Sequence, residues 1–275
     1  MMKEYTEIVK KLNLSTSADI SSSENLELLL RSKGLVNNRE IFQDLSILLK
    51  FPCLIAGGGP SIEGNLKQCI KLNLVNKVTT IAVDGTCKLF REIQIIPNIL
   101  ITDLDGDWES IHWAIKNNTT TLIHAHGDNH HLIDEFFLEY ENLKNINNIW
   151  GTTQNYISGD LFNFGGFTDG DRAVFLTFYF QTPIIGLIGF DFGEEIGKYS
   201  LSHKTIVKNL SRKKIKFKIA IGLLEKFYQN HRGTRFNLTD KGVEIPGFPR
   251  STISNFTNFI NEDYRKQNNE EFPKQ

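Results

Sequence analysis

A succession of short apolar runs, each closed by glycine or an acidic residue, constrains this chain more than anything else in it. The runs are Cys53-Leu54-Ile55-Ala56, Val78-Thr79-Thr80-Ile81-Ala82-Val83, Ile99-Leu100-Ile101-Thr102, Thr121-Leu122-Ile123-His124-Ala125-His126 and residues 183–188, with a further candidate at 149–153. Apolar runs of this length read as strands buried on both faces, the mark of a parallel sheet. Helical stretches separate them, at 87–93, 108–116, 130–143, 173–180, 215–229 and 251–264. This alternation predicts an α/β chain with a doubly wound, mostly parallel sheet.

Ligands of such sheets bind beyond the carboxyl ends of the strands. Here those ends carry chemistry. The third run leads into Asp103-Leu104-Asp105-Gly106-Asp107. Crowded carboxylates repel unless a cation sits among them, and Mg²⁺ binds through one or two carboxylates plus substrate phosphates. The competing explanation is an acidic turn with Asp107 as N-cap of the helix that begins at Trp108. The second run delivers Asp84-Gly85, and the fourth delivers Gly127-Asp128-Asn129. After the first run comes Gly57-Gly58-Gly59-Pro60-Ser61, a strand-to-helix turn where backbone N–H groups can approach an anion. It is neither a Walker A loop nor a GxGxxG fingerprint, and a plain tight turn is the alternative. Gly165-Gly166-Phe167-Thr168-Asp169-Gly170-Asp171-Arg172 opens a later helix, so Asp169 and Asp171 either face a second substrate or cap that helix.

The 275 residues suffice for one large α/β domain with an appendage. Residues 1–50 read as an N-terminal helical appendage, residues 51–265 as the main domain and residues 266–275 as a polar tail. Within the appendage, Ser21 and Glu24 fit a capping box, Gly34 a helix stop and Asn37 with Glu40 a second box, and 15–23 reads as a serine-rich loop. The formal net charge of -1 argues against a non-specific nucleic-acid binder. No apolar stretch reaches membrane-spanning length, and the start lacks a signal-peptide core. Cys53, Cys69 and Cys87 lack CxxC spacing, which fits a reducing cytoplasm. Lys198, Lys204, Lys208, Lys213, Lys214, Lys216 and Lys218 crowd residues 197–218, either as a solvated helix face or as a basic cover over polyphosphate. The oligomeric state stays open, a homodimer among the options.

Taken in order, Ala56 to Ser61, Val83 to Gly85, Thr102 to Gly106 and His124 to Asn129 resemble the archaeal-type 6-hydroxymethyl-7,8-dihydropterin pyrophosphokinases. The resemblance extends through Gly166 to Asp171 and the segment from Asn237 to Gly247, roughly residues 50 to 250. It implies a Rossmann-like core related to thiamin pyrophosphokinase. It also implies Mg²⁺-dependent transfer of diphosphate from ATP to a reduced hydroxymethylpterin, releasing AMP, in methanopterin or folate synthesis. On that reading Asp103 and Asp105 hold Mg²⁺, with Asp84 and Asp128 completing the cluster. Gly57, Gly58, Gly59, Pro60, Ser61 and Gly85 approach the nucleotide. Arg172 or a lysine of the basic segment neutralises charge on the leaving AMP. His126 orients a proton transfer. Asn129, Thr168, Asp169, Asp171 and Asp191 are candidates for the second substrate. The pterin edge asks for a carboxylate, and Asp191, Glu194 and Glu244 are the choices.

Three rivals stand beside this reading. Paired His124 and His126 with Asp128 suggest a zinc or manganese hydrolase, since imidazoles favour Zn²⁺ and carboxylates Mg²⁺. A sialyltransferase-like glycosyltransferase would share the Gly-Pro-Ser turn and bind a sugar nucleotide. A non-catalytic nucleotide-binding module would leave so many strand-end carboxylates unexplained.

Overall fold

The expected runs become β1 (Cys53–Ala56), β2 (Thr79–Val83), β3 (Ile99–Thr102), β4 (Thr120–Ala125), β5 (Ile149–Thr153) and β6 (Ile184–Ile188). The computed structural model describes residues 2–35, 38–139, 148–155, 159–200 and 210–268. Every residue of these strands is buried, which is why the sequence shows apolar runs and not alternation. A seventh strand, β7 (Thr234–Asn237), pairs in parallel with β6 through Ile184↔Thr234. The sequence shows no apolar run over these residues, and no strand is expected there. β7 is an edge strand, short, polar and partly exposed, so it carries no hydrophobic signal.

All seven strands are parallel, in the order β5-β4-β3-β2-β1-β6-β7. The chain steps outward from β1 to β5 and then returns to place β6 on the other side of β1. The β1/β6 boundary is therefore the topological switch point, where open α/β sheets bind ligands.

Helices cover both faces. One face carries α2 (Thr16–Ser32), α4 (Ile62–Lys71), α5 (Thr86–Glu92), α6 (Trp108–Lys116), α7 (His130–Glu139) and α10 (Ile253–Asn268), packed on Leu54, Ala82, Leu100 and Ile123. The opposite face carries α1 (Met2–Leu12), α3 (Asn38–Leu48), α8 (Asp169–Tyr179) and α9 (Leu210–Phe227), packed on Ile55, Ile81, Ile101 and Leu187. Successive strand residues thus serve opposite layers. Among the described residues no helix is long and apolar enough to cross a membrane.

The described residues among the first fifty are largely helical, as expected, and they pack on both faces of the sheet. Leu26 and Leu30 of α2 join one layer, while Ile41 and Leu45 of α3 join the other. The stretch read as a serine-rich loop lies mostly within α2, whose N-cap is Ser15, accepting from Ala18 N at 3.2 Å. Ser21 and Glu24 lie inside the helix and cap nothing. Serine is a weak helix former because its hydroxyl competes for backbone groups. Here Ser23 Oγ meets Thr153 Oγ1 at 2.6 Å and Ser22 Oγ donates to Asn129 Oδ1 at 3.3 Å, so tertiary hydrogen bonds hold the helix. Gly34, at φ 73°, does supply the stop. The second capping box rests on Asn37, which lies outside the described residues, as do the last residues expected in α7 and most of the polar tail.

Leu45 is fully buried against the sheet. Leu45→Ala is expected to cost about 2–5 kcal/mol, read as a lower urea midpoint in one cooperative transition. A separate early transition would show that the N-terminal helices fold as an independent unit.

Candidate active site

The carboxyl ends of the strands open into a cleft of about 380 Å³. At its centre, one oxygen each of Asp84, Asp103 and Asp105 lies within 4.8 Å of the others. The register explains the meeting. Val83 of β2 is paired with Ile101 of β3, so the first residue after β2 lies beside Thr102. Thr102 Oγ1 donates to Asp84 Oδ1 at 2.8 Å, and Asp84 N donates to Ile101 O at 2.7 Å. Asp84 adopts φ 42° and Leu104 φ 68°, left-handed values that side chains rarely take. Leu104 is buried, its N–H donates to Thr102 Oγ1, and its carbonyl accepts Trp108 Nε1–H at 2.7 Å, which turns Asp103 and Asp105 back toward Asp84. Asp107 is the N-cap of α6, its Oδ2 accepting from Ser110 N at 3.0 Å, and stays out of the cluster.

Crowding sets the ionisation. Burial, then the charges of Asp105 and Asp103, pushes the Asp84 carboxyl well above its usual range. Burial, then Asp103, pushes Asp105 up to about 6. Burial is the largest single influence and acts to raise Asp103, but the hydrogen bond and charge of His126 together with hydrogen bonds from Asp105 outweigh it and hold that carboxyl at about 2. His126 Nε2 lies 3.1 Å from Asp103 Oδ2. Its Nδ1 accepts the Asp128 backbone N–H at 3.2 Å, so Nε2 carries the proton offered to Asp103. An all-carboxylate, thiol-free cluster that cannot ionise comfortably alone fits a hard divalent cation such as Mg²⁺. Asp128 was expected in this cluster. Instead it is exposed and pairs with Arg212 of α9 at 3.8 Å.

Other sequence candidates separate into cleft wall and internal framework. Gly57 to Pro60 and Gly85 line the cleft. However, Gly57 N donates to Ile188 O, Gly59 N to Gly189 O and Ser61 N to Asp191 Oδ2, so three amides expected for phosphate are taken by the β6 turn. Asp191 also accepts from Ser61 Oγ at 2.9 Å. Asp171 completes a capping box on α8: its Oδ1 accepts Thr168 N and its Oδ2 accepts Phe167 N, both at 2.7 Å. Thr168 is its N-cap partner, while Asp169, the next residue, lines the cleft. Asn129 is buried and ties three elements: Nδ2 donates to the carbonyls of Asp103 and His124, and Oδ1 accepts His126 N. Arg172 is buried, and burial lowers its pKa. It donates to Gln154 Oε1 at 2.7 Å and to the carbonyls of Phe167 and Gly166, so its guanidinium is largely committed. Glu194 and Glu244 are exposed, Glu194 pairing with Lys214.

Two groups, Asp19 and Gln154, escaped the sequence reading of the site, and Lys213 was named there only as one of seven clustered lysines. Asp19 of α2 is buried in the cleft wall, where its Oδ2 accepts from Tyr5 and from Gln154 Nε2 while its Oδ1 accepts Gly127 N. Nothing local in 15–23 marks it. Gln154 follows β5, and the strand-end rule, applied to that strand, finds it. Lys213 of the basic segment reaches the cleft as an individual residue, its Nζ donating to Ser200 O within electrostatic range of Asp105 and Asp84, and burial lowers its pKa. Lys204 and Lys208 lie outside the described residues. The His124 and His126 rings stack with centroids 6.1 Å apart, but their nitrogens take different partners: His126 Nε2 faces Asp103, and His124 Nδ1 meets Thr152 Oγ1 at 3.0 Å. Among the described residues the acidic trio is the sole group of potential metal ligands, which leaves the paired-histidine hydrolase without a site.

Fold and site together define an α/β protein of the Rossmann-like class with an acidic centre at the strand ends beside its switch point. More particularly, the chain belongs to the family described as 6-hydroxymethylpterin diphosphokinase MptE-like, whose model matches residues 26–197. Among its relatives are proteins named 6-hydroxymethyl-7,8-dihydropterin pyrophosphokinase. That of Methanothermobacter thermautotrophicus is 36% identical over 72% of this chain and 80% of its own length. That of Methanocaldococcus jannaschii is 34% identical over 79% of this chain and 85% of its own. That of Pyrococcus furiosus is 34% identical over 83% and 93%. A likeness to the MAf glycosyltransferase of Magnetospirillum magneticum AMB-1 (TM-score 0.46, 9% identity, 84% of this chain and 41% of that one) carries no argument.

The raised Asp105 pKa has a signed consequence. Its folded value, about 6, exceeds its ordinary 3.8, so the stabilisation it reports is complete below 3.8 and is lost as pH rises through 6. In EDTA, Asp105→Asn is therefore expected to raise Tm by clearly more at pH 8 than at pH 5, and to leave it nearly unchanged only below pH 3.8. Equal shifts at both pH values would remove Asp105 from a repulsive cluster.

Proposed function

We propose that this protein is a 6-hydroxymethyl-7,8-dihydropterin diphosphokinase that uses ATP and Mg²⁺ and releases AMP. The observation that carries the reading is the trio Asp84, Asp103 and Asp105, placed between the glycine turn and His126 at the centre of the cleft. Family membership and the names of the relatives support the same reading. The activated pterin would serve cofactor assembly of the methanopterin or folate type.

In this reaction the pterin hydroxymethyl oxygen bonds to the β-phosphorus of ATP. The bond from that phosphorus to the α,β-bridging oxygen breaks, AMP departs with the oxygen, and the hydroxyl proton is released. Phosphoryl transfer of this kind asks the protein for position and charge more than for covalent chemistry. Asp84, Asp103 and Asp105 would hold Mg²⁺, which when bound neutralises phosphate charge. Lys213 adds a cation to the cleft within electrostatic range of Asp105 and Asp84. His126 acts through Asp103, holding its carboxylate ionised and aimed. Arg172, fixed by Gln154 and two carbonyls, acts as framework and not as a free phosphate clamp.

Incubation with ATP, Mg²⁺ and 6-hydroxymethyl-7,8-dihydropterin should yield AMP only when the pterin is present. ADP as product, or AMP formed equally without pterin, would overturn the assignment. His126→Ala removes a partner of a metal-binding carboxylate and should lower Mg²⁺ affinity or turnover by about 10–100-fold. An unchanged Mg²⁺ dependence would detach His126 from the centre.

A further inference from the structure

The turn from His126 to Asn129 holds Asp103 from two sides. His126 Nε2 meets the Asp103 carboxylate at 3.1 Å, and Asn129 Nδ2 donates to the Asp103 carbonyl at 2.8 Å. Within the turn, Asn129 Oδ1 accepts His126 N at 2.9 Å. A short turn makes few contacts of its own, so one that must aim an imidazole needs support from a rigid element outside it.

That element is α2, which packs across β4 and β5 and against α7. Asp19 Oδ1 accepts Gly127 N at 2.6 Å, and Ser22 Oγ donates to Asn129 Oδ1 at 3.3 Å. The two residues are three apart and share one face of the helix, so they grip the turn at two points. Asp19 is 3% exposed and Ser22 fully buried. The approach is close: a Cβ on Gly127 would meet Ala18 Cβ at 2.7 Å, so glycine is what lets helix and turn come this near. Burying a carboxylate costs free energy that an apolar side chain packing α2 on the sheet would not incur. What the carboxylate adds is a strong acceptor that fixes the place of Gly127. Its remaining capacity is filled by Tyr5 and Gln154, which hold the carboxylate itself in position.

We propose that α2 positions the metal centre: Asp19, assisted by Ser22, fixes the backbone at Gly127 and through it the aim of His126 at Asp103. Asp19 is thus a positioning residue that touches neither metal nor substrate. The inference rests on the reading of Asp84, Asp103 and Asp105 as a divalent-cation site, and it makes the N-terminal helices part of the active centre.

Mn²⁺ binding to the full chain, read from the EPR signal of the free ion, measures the centre without turnover. Asp19→Ala should weaken it about tenfold. Asp19→Asn keeps the acceptor for Gly127 and gives up the one for Gln154, and should stay within about threefold of the wild type. In a His126→Ala background, Asp19→Ala should cost less than about twofold, because the residue it acts through is gone. In the metal-free protein the ring-nitrogen NMR shifts of His126 report the Nε2–H tautomer and its bond to Asp103. They should match between wild type and Asp19→Asn and move in Asp19→Ala. Undiminished Mn²⁺ affinity in Asp19→Ala, or an equal loss with and without His126, would overturn the proposal and leave the diphosphokinase reading standing. Should Asp19→Ala fail to fold, Ser22→Ala carries the test: a loss of about two- to threefold is expected, and wild-type affinity would overturn the brace. A wild type that binds no Mn²⁺ would overturn the metal reading, and the His126 shifts would then decide the brace alone.

Discussion

Electrostatic repulsion among Asp84, Asp103 and Asp105 is what the surrounding structure is organised to sustain. Neighbouring strands lie about 4.8 Å apart, so carboxylates that leave adjacent parallel strands at the same level must crowd. The β2–β3 register supplies that level. Thr102, His126 and the left-handed turn at Leu104 then hold the three groups in place against their own charge. A cluster held this way has unfavourable energy when fully ionised and a correspondingly large gain when a cation arrives. The fold stores at one edge of its sheet what packing of two hydrophobic layers supplies elsewhere.

What sequence reasoning recovered follows from how local each signal is. Strands buried on both faces advertise themselves as apolar runs, and the residues after them are carried to the cleft by topology alone, so Asp84, Asp103, Asp105 and His126 were legible. β7 was not, because Thr234-Arg235-Phe236-Asn237 lies at an exposed edge and has no apolar face to show. α2 was misread because Ser22 and Ser23 owe their helical state to partners at Asn129 and Thr153, more than a hundred residues away. Asp19 was invisible for the same reason. Asp128 stands apart from the trio because the turn after β4 brings it to Arg212 on the cleft wall, while its own backbone N–H serves the imidazole of His126.

The glycine turn shows a subtler limit. Its composition suggested amides free for an anion, yet Gly57 and Gly59 donate to the backbone at the end of β6. Composition reveals that a backbone can come close to something and not what it comes close to. Here the close approach welds the two sides of the switch point together. A Cβ on Gly59 would meet Asp191 and the Gly189 carbonyl, and one on Gly189 would meet Gly57 O. Asn129, Asp171 and Asp191 extend the same principle: polar side chains near the cleft are mostly spent on rigidity, which leaves few groups to set specificity and keeps those few in register.

The bonds that Asp19 makes have a temporal meaning. Asp19 meets Gly127 across 108 residues and Gln154 across 135. On a chain made from its N-terminus, the segment bearing Asp19 emerges first and its partners emerge long afterward. Loop closure over such spans is entropically costly and slow. The cleft wall therefore cannot close before β4 and β5 have been made, and α2 waits for partners that follow it by more than a hundred residues.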